Sequence, residues 1–580
     1  MSRFAPWLVG VAIFVLLAAL PLYGGAYGMS LALSFLIAFV MAQSWDWVSG
    51  EAGYVNLGHF VFYGLGAYGF SILLVAGLPL AASFALACLA VGAIAALLAF
   101  PLFRLTGDYF AFATLALVPL AEILAFNLVG LTGGADGLVL PPHYVLAPAL
   151  LMAVCLAAVT VLLTGTLTRS RFGYRLKSIR NDELAAEVVG VRIFPPKLKV
   201  LTLSAAFAAF AGAIQAWQLS FIDPPTMFGL NFALVPVAMA LLGGSGLRWG
   251  PLVGVALLFA LQQWLLIHVT ILQATIYGLV ILLIGRFMPG GLLRASFVRE
   301  LPLIRRIARR ERAAAADAGM TTSAGLPLSK ATPDRAKTIL ECRGLTMAFG
   351  GVRALDHVDL TIREGEIIGL VGANGSGKTT LFNCLSKVYE PKGSMIFAGR
   401  DLAGLRRDEI ARTGIGRSFQ IPRPFGDLTV AENIAIALGA QEAKKPMHRL
   451  FDEAAPFAGF MGLQERLGTR ADALSLQEKK SLELARALAL RPKLLLVDEV
   501  ASGLTPAEVR RFVEHIREIR DVYGVTVIWV EHIFSALAQV VDRLVVLEEG
   551  RVIADAPLQE AVRDERVLRS YLGSEAAPVT

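Results

Sequence analysis

Long apolar runs, separated by short polar or glycine-rich breaks, fill the chain up to about Phe287. Beyond it the charges become dense and the apolar runs short. The first part predicts helices near Trp7–Tyr23, Ser30–Val48, Phe60–Ala76, Leu80–Phe103, Tyr109–Gly130, Tyr144–Leu167, Val200–Gln218, Asn231–Gly243, Pro251–His268 and Ile271–Ile284. Several reach the ~20 residues that a helix needs to cross a bilayer. Trp7–Tyr23 has the apolarity of a signal peptide but no cleavage-site pattern, and spans follow it at once, so it reads as a retained helix. The short runs of the second part predict strands at Ile339–Thr346, Leu355–Ile362, Leu494–Glu499 and Val525–Val530. The expected organisation is an all-α polytopic membrane domain of about ten spans over 1–300, a basic flexible linker over 301–335 and an α/β domain over 336–575.

Composition agrees with that division. At 580 residues the chain exceeds one domain, and 56% hydrophobic content is too high for a soluble enzyme. The four cysteines, Cys88, Cys155, Cys342 and Cys384, have neither metal nor disulfide spacing. With ten spans and the N-terminus inside, the inner loops contain Arg3, Arg104, Arg169, Arg171, Arg175, Lys177, Arg180, Arg192, Lys197, Lys199, Arg248 and Arg286. The outer loops Leu131–Pro142 and Phe221–Met227 contain no Lys or Arg, which is the positive-inside asymmetry. It puts the second half in the cytoplasm, and it accounts for the net charge of +7 by clusters beside the membrane, not by nucleic-acid binding.

Polar groups within the apolar part are few. Glu122 lies inside the fifth span, three residues after Pro119. It reads equally as a group lining a translocation path or as a structural partner of a neighbouring helix. Gln43, Gln262 and Gln263 read as helix-joining groups. The longest inner loop contains Arg175–Gly190, which reads as a short amphipathic coupling helix ending at Gly190, with Asp182, Glu183 and Glu187 beside Arg180. Its mixed charges suit docking to a protein groove better than resting on anionic lipid. The basic run Leu303–Arg312 suits an anionic leaflet.

The chemistry concentrates after Glu366. An apolar run ends in Gly372-Ala373-Asn374-Gly375-Ser376-Gly377-Lys378-Thr379-Thr380, which fits the phosphate-binding loop G-x-x-x-x-G-K-[ST]. Glycines allow backbone N–H groups to approach phosphate, and the helix N-terminus adds partial positive charge. Lys378 reaches terminal phosphates and the Thr379 hydroxyl can hold Mg²⁺. Leu494–Glu499 is a buried-strand run ending in two carboxylates: Asp498 to hold Mg²⁺ and Glu499 to polarise the attacking water. Phe349 offers an aromatic face to a nucleobase, while Glu531 and His532 stand where a γ-phosphate would be met. Gln420, in Arg417-Ser-Phe-Gln, could sense both the metal and the membrane half.

In order and spacing, Phe349, Gly372–Thr380, Gln420, Asp498, Glu499, Ala501–Pro506 and His532 resemble the aromatic loop, Walker A, Q-loop, Walker B, D-loop and H-loop of an ABC transporter ATPase. Phe349-Gly-Gly and Arg417-Ser-Phe-Gln resemble the ATPases of branched-chain amino-acid (Liv-type) importers more narrowly. Gly53–Gly58, Gly107–Tyr109, Leu131–Gly137 and Leu241–Gly246 resemble their permeases. The resemblance implies an ATP hydrolase that uses ATP and Mg²⁺, with Thr379, Gln420 and Asp498 about the metal and Glu499, His532 and Gln420 in catalysis. It implies a second permease, a second ATPase, an extracytoplasmic binding protein and a place in a bacterial inner membrane. Relatives carry leucine, isoleucine and valine, and others urea, amides or aromatic acids. An exporter, or a membrane-tethered regulatory ATPase, is the alternative; the short inner loops disfavour the first, and the polar intramembrane groups with the docking-like loop disfavour the second.

One departure stands out. The signature, which in the family carries glycine, reads Leu474-Ser475-Leu476-Gln477-Glu478. Its backbone is less free to approach phosphate, and Glu478 adds negative charge. The expectation is an asymmetric pair of sites, in which the Lys378 site hydrolyses ATP and the site using this signature is weak.

Overall fold

The computed structural model describes residues 5–141, 145–268, 273–287, 290–294, 326–328, 330, 333–442, 444–531, 534–561 and 563–564. The chain forms two compact units, Met1–Arg180 with Phe194–Arg309, and Asn181–Ile193 with Arg310–Thr580. The expected linker, including Leu303–Arg312, lies almost entirely outside the described residues.

The first unit is helical. Among the described residues, six helices are long and apolar enough to cross a membrane: Ala26–Ala52, Leu80–Leu102, Asp108–Asn127, Leu146–Leu167, Phe194–Leu219 and Gly250–His268. Of the remaining expected spans, Trp7–Tyr23 lies within the 19-residue helix Ala5–Tyr23, while the others are shorter or broken. His59–Val75 has 17 residues and Gln273–Phe287 has 15. The expected span Asn231–Gly243 is not one helix. It divides into Leu230–Ala233 and the 9-residue Val235–Gly243, with Pro236 in the first turn of the second. Proline has no N–H to continue a helix from the preceding turn, so it starts one instead.

Helix Phe194–Leu219 is the centre of this unit, packed against Ala26–Ala52, His59–Val75, Leu80–Leu102 and Leu146–Leu167. Small residues make the approach close. A Cβ on Gly66 would lie 2.2 Å from the Ala209 carbonyl oxygen, and one on Gly212 would lie 2.0 Å from that of Tyr63. This is the small-residue packing by which helices associate in lipid. At one end, β1 (Leu138–Val139) and β2 (Phe221–Ile222) pair antiparallel and join the two loops that lack Lys and Arg. A different region is strongly polar. Asp46 accepts hydrogen bonds from the Ser245 hydroxyl (2.7 Å) and the Gly246 N–H (2.9 Å). The Arg180 guanidinium donates to the Gly50 carbonyl, and Lys197 donates to the Tyr54 hydroxyl at 2.6 Å.

The described residues of the second unit form two sheets. Strands β3 (Thr338–Phe349), β4 (Val352–Arg363), β6 (Lys392–Phe397) and β7 (Arg400–Asp401) form an antiparallel sheet in the order β4-β3-β6-β7. The other comprises β5 (Ile367–Val371), β8 (Ile415–Arg417), β9 (Leu494–Asp498), β10 (Thr526–Val530), β11 (Arg543–Glu548) and β12 (Arg551–Pro557), in the order β12-β11-β5-β10-β9-β8. Its strands are parallel except β12. Strands β5, β9 and β10 are buried along their whole length, as continuous apolar runs in a covered parallel sheet should be. Leu340, Leu355, Leu370, Phe382, Leu496, Ile528 and Val545 share one core that joins the two sheets.

The segment expected to be one helix over Arg175–Gly190 is two, Arg171–Asn181 and Glu183–Val188. Asp182 breaks it. Its backbone is extended, and its carboxylate accepts the Ala185 N–H at 2.8 Å, the geometry of an N-cap. Gly190 follows the second helix at φ +81°.

Candidate nucleotide-binding site

The site stands at the carboxyl ends of the parallel strands. Register puts Leu370 of β5, Val530 of β10 and Asp498 of β9 in one row, so the phosphate loop after β5 and the carboxylates after β9 leave the sheet together. Crevices outside strand carboxyl ends are where such sheets bind ligands.

The loop is shaped by glycine. At Gly372 φ is +151° and a Cβ would lie 2.1 Å from the Leu547 carbonyl oxygen. At Gly377 φ is +109° and a Cβ would lie 2.5 Å from that of Ala354. Any side chain at either position would lift the loop off the sheet. Gly377 leads directly into helix Lys378–Leu385, whose N-terminus has no side-chain cap. Its first-turn N–H groups are the kind that phosphate satisfies. Ala373, Asn374, Gly375 and Thr379 are exposed, Thr380 is half-buried, and the Ser376 hydroxyl is buried with no hydrogen-bond partner. Lys378 is buried and donates to the Gly372 and Ala373 carbonyls at 2.8 and 2.9 Å. Burial pushes its pKa down, against Glu499 and Asp498, which pull it up. An ammonium held among carbonyls in a desolvated hollow is a strong anion receptor.

Asp498 ends β9. Its Oδ1 is buried without a hydrogen-bond partner, and its Oδ2 is 3.7 Å from the Arg417 guanidinium. Burial, opposed by Arg417, raises its pKa to about 6. Glu499 has a left-handed backbone, φ +44°, unusual outside glycine. Its N–H donates to the Val530 carbonyl at 2.9 Å, and its carboxylate accepts from the Gln420 amide at 2.6 Å. The structure therefore brings Gln420 to Glu499. Glu531, expected to face a phosphate, is instead buried and accepts the Ala501 N–H at 2.5 Å, which anchors the turn after Glu499. His532 lies outside the described residues. Phe349, at the end of β3, is 42% exposed and meets Tyr389 edge-on.

The degenerate signature is closed on itself. Ser475 caps helix Leu476–Ala489, its hydroxyl accepting the Glu478 N–H at 3.3 Å. Glu478 accepts the Ser475 N–H at 2.8 Å and pairs with Arg466 at 2.9 Å. The Ser475 backbone bond, with help from Arg466, holds the Glu478 carboxyl below its usual range. Leu476 is exposed and Gln477 half-buried. Lys480 donates to the Val500 carbonyl at 2.7 Å and to that of Ser502.

The acidic residues expected to dock are engaged within this unit. Asp182 pairs with Arg423 at 3.1 Å and Glu187 with Arg407 at 2.7 Å, while Glu183 opens the short helix and is half-buried. Arg412 donates to the Gly190 carbonyl at 2.8 Å. In the first unit, Glu122 is half-buried on helix Asp108–Asn127.

Arg417, Glu483 and Arg486 are buried charged residues to which the sequence pattern gave no role. Arg417 donates to Asn383 Oδ1 at 2.8 Å and Ser386 Oγ at 2.6 Å beside Asp498. Glu483 and Arg486 sit on the signature helix, 3.4 Å apart. A Glu and an Arg inside the apolar frame Leu482-Glu-Leu-Ala-Arg486 were the available signal.

Residues 28–285 match the family described as branched-chain amino acid transport system permease component, and residues 355–502 match the ABC transporter family. The high-affinity branched-chain amino acid transport ATP-binding protein LivG of Salmonella typhimurium is 35% identical over 249 residues, 40% of this chain and 98% of that protein. BraF of Pseudomonas aeruginosa, described in the same terms, is 35% identical over 251 residues, 41% of this chain and 98% of that protein. A nucleotide-free ATP-binding cassette from an ABC transporter is similar at 27% identity and a TM-score of 0.38, over 41% of this chain and 100% of that one.

Proposed function

From the premise that this chain belongs to the Liv-type ABC transporter family, with a permease component and an ABC ATPase in one polypeptide, we propose that it couples ATP hydrolysis to uptake of branched-chain or related amino acids across a bacterial inner membrane. The observation that carries this reading is the segment Asn181–Ile193. In sequence it lies between two helices of the permease, yet it belongs to the compact ATPase unit, held there by Asp182, Glu187, Arg192 and Gly190. A nucleotide-driven change in that unit would therefore act on a loop of the helical one.

In the catalytic site, Lys378 leaves its loop carbonyls for the β- and γ-phosphates, and the amide groups from Gly372 to Thr380 surround them. Phe349 stacks on the base. Glu499, oriented by Gln420, accepts the proton of the attacking water. The buried unpartnered Asp498 oxygen, with Thr379 and Gln420 as further donors, suits Mg²⁺, which when bound would neutralise charge on the phosphates. His532 contributes at the γ-phosphate. Glu122 lines the path. A second permease, a second ATPase and an extracytoplasmic binding protein complete the assembly, and this chain's Ser475–Glu478 signature makes its two sites unequal. Uptake of labelled leucine, isoleucine, valine, urea and an aromatic acid into vesicles containing the purified complex, with and without the binding protein, tests the reading. ATP-dependent uptake of a branched-chain amino acid that needs the binding protein supports it. Export, or ATP hydrolysis with no solute moved, overturns it.

A further inference from the structure

Gln420 is held in place by residues outside the nucleotide pocket. Glu483 is buried on helix Leu476–Ala489, and each of its carboxylate oxygens accepts a backbone N–H: Phe419 at 3.0 Å on one, Arg423 at 2.9 Å on the other. Those two amides bracket Gln420, Ile421 and Pro422. Arg486, nearly one turn further along the helix, donates to the Arg423 carbonyl at 2.8 Å and lies 4.2 Å from the Phe425 ring centre. One helix thus grips both ends of the loop whose tip presents Gln420 to Glu499. The Arg423 side chain points to Asp182 at 3.1 Å, and the Asp427 N–H donates to Asn181 at 3.3 Å.

A carboxylate buried in a helix interior is costly unless its bonds are complete. Here one carboxylate satisfies two loop amides that no sheet partner reaches, and its charge is balanced by Arg486. We propose that Glu483 is a positioning residue for hydrolysis. It clamps Phe419–Arg423, so that a shift of Arg423 by the Asn181–Ile193 segment moves Gln420 and sets whether Glu499 is aimed at water. This rests on the roles given above to Gln420 and Glu499. Because Glu483 shares its helix with Ser475, the clamp also ties the loop to the signature.

The test is Glu483→Gln in the complex purified through a tag on the full chain. Glutamine keeps the shape but offers one acceptor oxygen for two amides. The expected result is a fall in kcat of about tenfold or more, the loss expected of one hydrogen bond to a charged group. KM for ATP stays near the unmutated value, the melting temperature falls because buried Arg486 loses its counter-charge, and hydrogen–deuterium exchange accelerates at Phe419 and Arg423. Glu483→Asp, which keeps the charge, recovers part of kcat. Should Glu483→Gln fail to fold, Arg486→Lys, which loses the guanidinium fork, is expected to move the same readouts in the same direction. An unchanged kcat in a folded variant overturns the clamp, as does a loss of ATP affinity in step with kcat, which marks a merely structural residue. Failure of the unmutated complex to split ATP overturns the parent reading as well, whereas normal turnover there with unaffected variants overturns the clamp alone.

Discussion

Gly190→Ala perturbs the attachment of the Asn181–Ile193 segment without touching the nucleotide site. At Gly190 φ is +81°, and an added Cβ would lie 2.8 Å from the Ala440 Cβ and 3.6 Å from Arg412 Cγ. Carbon atoms in contact prefer about 3.5–4.0 Å, so the segment must lift by close to 1 Å or Ala440 must give. Ala440 is on helix Val430–Gln441, which packs against the helices Met447–Phe460 and Leu476–Ala489, so yielding disturbs further packing. The left-handed backbone costs alanine about 1–2 kcal/mol, a strain within the segment itself. The overpacking term, about 1–3 kcal/mol, acts on seating and lowers the ratio of seated to unseated segment roughly 5- to 150-fold. In proteoliposomes, solute moved per ATP hydrolysed is therefore expected to fall, by as much as that factor where the unseated state comes to dominate, with nucleotide binding unchanged. An unaltered ratio of uptake to hydrolysis in a folded Gly190→Ala complex would refute the reasoning.

Further expectations concern the nucleotide site. The Asp498 carboxyl titrates near pH 6 and must be ionised to accept a divalent cation, so Mg²⁺-dependent binding of a fluorescent nucleotide is present above pH 6 and lost below it. At pH 5 only about one tenth of the carboxyl is ionised, and Mg²⁺ affinity should be about tenfold weaker than at pH 7.5; Asp498→Asn should remove that dependence. Arg417→Leu strips a buried cation from Asn383, Ser386 and Asp498, and should cost about 3–5 kcal/mol of stability, read as a lowered melting temperature. Leu476→Gly with Glu478→Gln opens the self-capped signature and should raise turnover; no change would argue against unequal sites.

The phosphate loop was legible because its constraints are local. Glycines at Gly372 and Gly377 answer carbonyl oxygens that any Cβ would strike, and the Lys and Thr after them follow from the helix start. Strands β9 and β10 were legible for a similar reason, since a strand buried on both faces is apolar throughout. Hydropathy found the apolar helices but not their interruptions, such as the one between Ala233 and Val235, where a proline-led helix start outweighs apolarity. Helical periodicity likewise ran through Asp182, although an Asp that can cap the next turn is a stop signal in its own right. Arg417, Glu483 and Arg486 were not legible as a set. Their partners lie on other elements, and spacing along one strand or helix does not reveal which distant amide or carboxylate will meet them. Glu531 was misplaced for the same reason, because its bond to Ala501 exists only once β9 and β10 are side by side.

The most direct measurement is ATP-driven uptake of labelled leucine by proteoliposomes holding the full complex, with the unmutated chain and with Lys378→Ala. Uptake should depend on ATP on the side of the ATPase unit and disappear in Lys378→Ala, while the complex still assembles. Uptake that continues undiminished in Lys378→Ala, or that proceeds without ATP, would contradict ATP-coupled uptake by this chain.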